Sequence, residues 1–202
     1  MTGTSALRLL LIAGSAREGA LSGRLMDAAG ARARAAGAET ARADLRALAL
    51  PLYDGDIEAQ QGVPAGALML RDQFAACDAV LIVTPEYNGF PTPLFINAFD
   101  WLSRVKADPD RGLPAGNAAT ADKPVGLLSS SPGPVGGLRA LNVVRQFLST
   151  GFGMLIVPQQ HALGQAHAAF ADDGSLADPK QAQAVERVVL ATLNVAAAMT
   201  AR

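Results

Sequence analysis

Two almost unbroken apolar runs constrain this chain more than any other feature. Leu7–Ala13 is interrupted only by Arg8, and Ala79–Thr84 ends its apolar stretch only at Thr84. Runs of this length read as strands covered on both faces, which is the habit of parallel sheets. Three more strands are expected at Thr40–Asp44, Pro124–Ser129 and Met154–Pro158, the first of them polar enough for a sheet edge. Helices are expected between them, at Ser22–Ala36, Pro64–Ala76, Pro93–Val105, Gly136–Thr150 and Lys180–Ala201. In the first helix Leu25, Ala29, Ala33 and Ala36 recur at helical spacing, and in the last Val185, Val188, Val189 and Leu193 do the same.

Strand alternating with helix is the grammar of a parallel sheet with helices on both faces. Five such units predict an α/β, flavodoxin-like three-layer sandwich whose five-stranded parallel sheet has the order 2-1-3-4-5. A length of 202 residues without repeats suits a single domain over 1–202. Half of the residues are hydrophobic, so a folded core is expected rather than disorder. Lys and Arg total 17 against 18 Asp and Glu, a formal charge of -1, which argues against a nucleic-acid-binding face. Cys77 is the only cysteine, so no disulfide framework or cysteine zinc site forms within the chain, and a reducing cytoplasm fits. No apolar run is long enough to span a bilayer. Leu7–Ala16 has the outline of a signal peptide, but its apolar core, Leu9–Ala13, is too short, and the stretch reads as the first strand.

In an open parallel sheet, ligands sit beyond the carboxyl ends of the strands where the strand order reverses. The loops after strands one, three and four should therefore converge. The first, Gly14 to Leu25, offers the Ser15 hydroxyl, the Arg17 fork and the free N–H groups of a helix start at Ala20, Leu21 and Ser22. Ser22 is the expected helix cap. Together these residues suit a phosphate; a plain capped turn with Arg17 in solvent is the other reading. The stretch is neither G-x-G-x-x-G nor a P-loop.

The loop after strand three is Pro85-Glu86-Tyr87-Asn88-Gly89. Pro85 and Pro91 fix torsions, and Asn88-Gly89 is a strong turn signal. The N–H groups of Glu86, Tyr87, Asn88 and Gly89 are expected on a stiff curve suited to a flat, polar-edged ring, with Tyr87 as a wall. A rigid turn with Tyr87 packed on its neighbours is the alternative. The loop after strand four leaves through Ser129, Ser130 and Ser131, turns at Pro132-Gly133, and meets a helix at Gly136-Gly137.

These stretches resemble the NADPH-dependent FMN reductase family, the flavodoxin-like group that includes chromate, quinone and azo-dye reductases. The family's G-S-x-R-x-G appears as Gly14-Ser15-Ala16-Arg17-Glu18-Gly19. Its P-E-Y-N-G is Pro85 to Gly89, and its N-A-x-D-W-x-S-R helix is Asn97 to Arg104. The resemblance implies FMN, with its phosphate on Ser15, Arg17 and the Ala20–Ser22 backbone and its ring edge at Pro85 to Gly89. Relatives carry an S-x-G-x-x-G-G stretch near the ring, which implicates Ser129, Ser130, Ser131 and Gly133. Two positions depart from the pattern: Ala20-Leu21-Ser22 replaces S-x-N, and Ile96 stands where many relatives have Lys.

The implied activity passes hydride from NADPH or NADH through FMN to quinones or similar small acceptors, by a ping-pong cycle. No acid–base dyad or nucleophile is needed, since the cofactor carries the chemistry. A flavodoxin-type electron carrier and a non-enzymatic flavin-binding sensor are the rival readings. Relatives form dimers or tetramers, so a homodimer or homotetramer is expected, with Lys106–Asp122 closing the pocket. Cys77 reads as a small buried hydrophobe, and His161 and His167 lack partners at metal-ligand spacing. Ser129–Ser131 lacks a hydrolase frame. Asp100 and Trp101 read as helix and interface residues; for Trp101 packing, with a partner subunit as one possible surface, is favoured over direct contact with the ring.

Overall fold

The computed structural model describes residues 6–15 and 17–201, so Ala16 of the first signature lies outside the described residues. Five parallel strands form one sheet in the order β2-β1-β3-β4-β5. They are β1 (Arg8–Ala13), β2 (Glu39–Ala43), β3 (Ala79–Thr84), β4 (Pro124–Ser130) and β5 (Leu155–Leu163). The two strands with uninterrupted burial, β3 and β4, sit inside the sheet, whereas β2 and β5 are mostly exposed or half-buried and form its edges. Burial on both faces is what makes their sequences uniformly apolar.

Helices α1 (Leu21–Ala35) and α7 (Pro179–Thr200) cover one face. Their Leu25, Met26, Val185 and Val189 pack on Leu9, Leu11, Leu81 and Val83. The other face carries α3 (Ala65–Ala75), α4 (Pro93–Arg104) and α6 (Leu138–Phe152). There Phe74, Phe95 and Phe99 meet Leu10, Ile12, Val80 and Ile82. Phe99 is the hub of an aromatic cluster, with ring centroids 4.8 Å from both Phe95 and Phe152. Glycine is required where elements touch: a Cβ on Gly116 would lie 1.8 Å from the Leu102 carbonyl oxygen.

Two short helices were not expected from sequence, α2 (Gly55–Gln61) and α5 (Gly116–Thr120). Both are below the length at which an apolar period is legible. Helix α5 belongs to the segment expected to close the pocket, and the structure corrects that expectation. Residues 106–122 return from α4 to β4, at the amino ends of the strands and therefore opposite the βα loops. The buried Arg71 guanidinium donates there to the carbonyls of Lys106 (3.1 Å) and Pro114 (3.0 Å). Asp122 N–H is tied to the Gly153 carbonyl just before β5.

Trp101 packs, as expected. It is fully buried within its own chain, where its indole N–H donates to the Pro51 carbonyl at 2.7 Å. Asn97 on the same helix receives Tyr53 N–H (2.7 Å) and donates to the Pro51 carbonyl (2.9 Å). Arg104 pairs with Glu58 through both carboxylate oxygens. The Asn-Trp-Arg signature of α4 thus straps residues 51–58 across that helix. Asp100 stays half-buried on α4, where partial burial holds its carboxyl above the ordinary range. No described helix is long and apolar enough to cross a membrane.

Replacing Phe99 by Ala should remove the hub of the aromatic cluster and cost about 3–5 kcal/mol. Urea unfolding, followed by circular dichroism, checks this: the midpoint should fall with little change in slope.

Candidate functional site

The strand order reverses between β1 and β3, and the loops after β1, β3 and β4 meet there. The first two are stitched together. Gly14 N–H donates to the Val83 carbonyl at 2.9 Å, and the buried Thr92 hydroxyl donates to the Gly14 carbonyl at 2.5 Å. The same Thr92 oxygen accepts from Phe95 N–H (3.3 Å), so one hydroxyl caps α4 and anchors the first loop. Sequence reasoning missed Thr92; its signal was the Thr-Pro pair at the start of a helix.

The structure corrects the role of Ser22. Helix α1 begins at Leu21 with Ala20 in the capping position, and no side chain caps it. Ser22 lies inside the first turn, 1% exposed, with a hydroxyl that has no partner. The N–H groups of Leu21, Ser22 and Gly23 are the helix's open donors, since Arg24 N–H is the first to find its carbonyl, on Ala20. Ser15 Oγ accepts from Arg17 N–H at 3.3 Å. The exposed Arg17 side chain has no partner among the described residues. A buried orphan hydroxyl, open amides and a free guanidinium at one helix start fit an anionic group with several acceptor oxygens.

The second loop is a two-residue hairpin. Tyr87 N–H and Phe90 N–H donate to each other's carbonyls at 2.9 and 3.0 Å. Asn88 and Gly89 take φ of 54° and 83°, as a mirror-image turn demands. Tyr87 N–H is therefore not free, contrary to expectation, and the open donors of the loop are Glu86, Asn88 and Gly89 N–H. The Tyr87 and Phe90 side chains stand 52% and 60% exposed.

Glu86 proves to have a second task. Its carboxylate takes Arg139 Nε at 2.9 Å, also pairs with Arg139 Nη2, and accepts Ala140 N–H at 3.3 Å in the first turn of α6. It closes the amino end of α6 and ties the hairpin to the third loop. Burial pushes this carboxyl up, but the Arg139 and Ala140 hydrogen bonds and the Arg139 charge outweigh it and hold it below the ordinary 4.5. Gly137 makes the approach possible: with φ of 86°, a Cβ there would lie 3.2 Å from Ser129 Cβ and 3.4 Å from Glu86 Cβ.

The three serines of the third loop divide. Ser129 is buried and donates to the Gly136 carbonyl at 2.7 Å. Ser130 is buried too, with its hydroxyl unpartnered. Neither presents a hydroxyl at the surface. Ser131 does, half-exposed, while accepting Gly133 N–H at 3.1 Å. Of the residues set aside, Cys77 is buried and its thiol is pushed up to about 11 by that burial. His161 faces Gln181 at 2.7 Å. No group of metal-ligating side chains occurs among the described residues.

A helix start with open amides beside a rigid hairpin, at the switch point of a 2-1-3-4-5 sheet, defines a flavodoxin-like α/β domain. The chain belongs to the NADPH-dependent FMN reductase family, which it matches over residues 7–168. A quinone reductase of Escherichia coli (strain K12) is 42% identical over 99 residues, 49% of this chain and 47% of that protein. The match thus spans about half the length of that relative. An NAD(P)H-dependent FMN reductase of Pseudomonas aeruginosa is 32% identical over 138 residues, 68% of this chain and 69% of that protein. Among solved structures, FerB, a flavoenzyme NAD(P)H:(acceptor) oxidoreductase from Paracoccus denitrificans, superposes with a TM-score of 0.79. It is 29% identical, over 95% of this chain and 98% of that one.

Because the Glu86 carboxyl titrates lower when folded than when unfolded, its contribution is present above about pH 4.5 and is lost as pH falls through the folded value. Glu86→Gln should therefore be less stable than the parent at pH 7, with the gap closing below about pH 4.5. Paired urea titrations across pH 3–7 check this, as roughly spanned by the ordinary carboxyl range.

Proposed function

We propose that this chain is an FMN-dependent oxidoreductase that takes hydride from NADPH or NADH and passes it to quinones or related small acceptors. The observation that carries the reading is the start of α1, where the buried Ser22 hydroxyl and three open amides follow a loop whose Arg17 side chain has no partner among the described residues. FMN, when bound, supplies the two-electron chemistry that no side chain here offers. Ser15, Arg17, Ser22 and the amides from Leu21 onward would hold its phosphate. The Glu86, Asn88 and Gly89 amides would meet the polar edge of its ring, with Pro85 and Gly133 beside it and the Ser131 hydroxyl within the third loop.

The remaining work of the protein is positioning. The hairpin is braced on one side through Glu86 to α6 and on the other through Thr92 to Gly14. Its amides are thus fixed before any ligand arrives, and fixed donors cost little reorganisation when charge develops on a ring. Donor and acceptor would use the same open face in turn, which is the ping-pong cycle. The mouth is rimmed by exposed apolar side chains, Tyr87, Phe90, Val135 and Leu138. We place a subunit contact there, giving a homodimer or homotetramer, to be checked by light scattering. The single buried thiol, Cys77, suits the reducing cytoplasm.

The purified protein should retain FMN and lose its visible flavin absorbance within seconds of anaerobic NAD(P)H addition. Persistent colour would leave a carrier or a sensor. Arg17→Ala should weaken FMN binding about 10- to 100-fold, the loss of one charge-assisted contact, as measured by flavin fluorescence titration. Unchanged affinity would remove Arg17 from the phosphate site.

A further inference from the structure

Asn88-Gly89, at the tip of the second loop, is also a chemically reactive pair. The backbone nitrogen that follows an asparagine can attack its side-chain amide carbon, and a glycine nitrogen is the least crowded because no Cβ stands beside it. The chain has five asparagines, and only Asn88 precedes a glycine. Asn97, Asn117, Asn142 and Asn194 are each followed by Ala or Val, and all four lie in helices.

The structure leaves this pair free to react. The two backbone hydrogen bonds of the hairpin clamp Tyr87 and Phe90, on either side of it. Between the clamps, Gly89 N–H has no acceptor, and the exposed Asn88 side chain has no partner among the described residues. A cation stands alongside: a Cβ on Gly89 would lie 3.8 Å from Arg139 Nε and 3.9 Å from Arg139 Cζ. Glu86 holds that guanidinium in place. A nearby positive charge favours the deprotonated amide nitrogen, which is the nucleophile, and then the carboxylate that the reaction leaves behind.

We propose that Asn88 is a site of spontaneous deamidation in the flavin-free protein, and that bound FMN protects it. Gly89 nitrogen gives its proton to solvent and bonds to Asn88 Cγ; the Cγ–Nδ2 bond breaks, and the nitrogen leaves as ammonia. Water then opens the cyclic imide at either carbonyl, giving aspartate or isoaspartate, and no electrons change hands. Isoaspartate routes the backbone through Cβ and Cγ, which lengthens a turn whose geometry is set by two residues. The protection rests on the reading above, in which the Asn88 and Gly89 amides meet the polar edge of the FMN ring. An amide that donates to the ring is not available to attack its neighbour. The loaded chain therefore keeps its hairpin, while the flavin-free chain loses donors from it with time.

The test incubates flavin-free and FMN-loaded protein at mildly alkaline pH, follows the Asn88 peptide by mass spectrometry, and detects isoaspartate by enzymatic methylation. Without FMN, that peptide should gain the mass difference between amide and acid, while the peptides carrying the other four asparagines should not. FMN at about 100 times its Kd leaves about 1% of the chain unliganded, so conversion should slow by at least about 10-fold. Asn88→Gln, whose longer side chain must close a larger ring, should remain intact. Aged protein should bind FMN about 10-fold more weakly, equivalent to the loss of about one hydrogen bond. An Asn88 peptide that stays unchanged in the flavin-free protein would overturn the proposal. So would equal rates with and without FMN in a chain that holds its yellow colour. A chain that never retains FMN would sink the flavin reading instead, and the mass of the flavin-free Asn88 peptide would still decide the modification.

Discussion

Burial of the sheet on both faces is the constraint from which the rest follows. Parallel neighbours cannot be joined by tight turns, so every connection must cross a face as a helix. All five strands therefore point the same way, and every strand-to-helix loop emerges at one edge. The order β2-β1-β3-β4-β5 then reverses between β1 and β3, which opens a crevice at that edge. The apolar runs do not encode a site, but they leave only one place for it.

Polar contacts decide the shape of that place. Thr92 reaches from the start of α4 to the Gly14 carbonyl, and Glu86 reaches from the hairpin to the start of α6. Each joins two loops that are distant in sequence, and each also satisfies open amides at a helix start. Paired groups of this kind are costly to break, because the partner left behind loses its hydrogen bond. The loops are thus held rigid by the same contacts that terminate the helices. At the start of α1 the pairing is open: Ser22 is buried without a partner, and Ala20 supplies no cap.

The chemistry follows from this division. The residues around the crevice bind and orient, and none forms a proton-transferring dyad. A family whose members carry their own redox group needs no more from the chain.

The sequence by itself determined the architecture, because apolar periodicity reports burial, and burial on both faces dictates parallel strands and helical crossovers. It also marked the three loops, since Gly14, Asn88-Gly89 and Gly136-Gly137 occur where the backbone must turn sharply. The tertiary structure alone decided how those loops are used. Glu86 read as a backbone donor for a ligand, yet its carboxylate closes a helix 54 positions away in the chain. Ser129 read as a surface hydroxyl, yet it points inward to Gly136. Trp101 read as an interface residue, yet it pins residue 51 within its own chain. Arg17, Arg24, Arg42 and Arg46 line one groove from four segments, and nothing in their spacing announces that they converge. Periodicity is local and survives in one dimension; convergence depends on which segments the fold brings together, and that exists only in three.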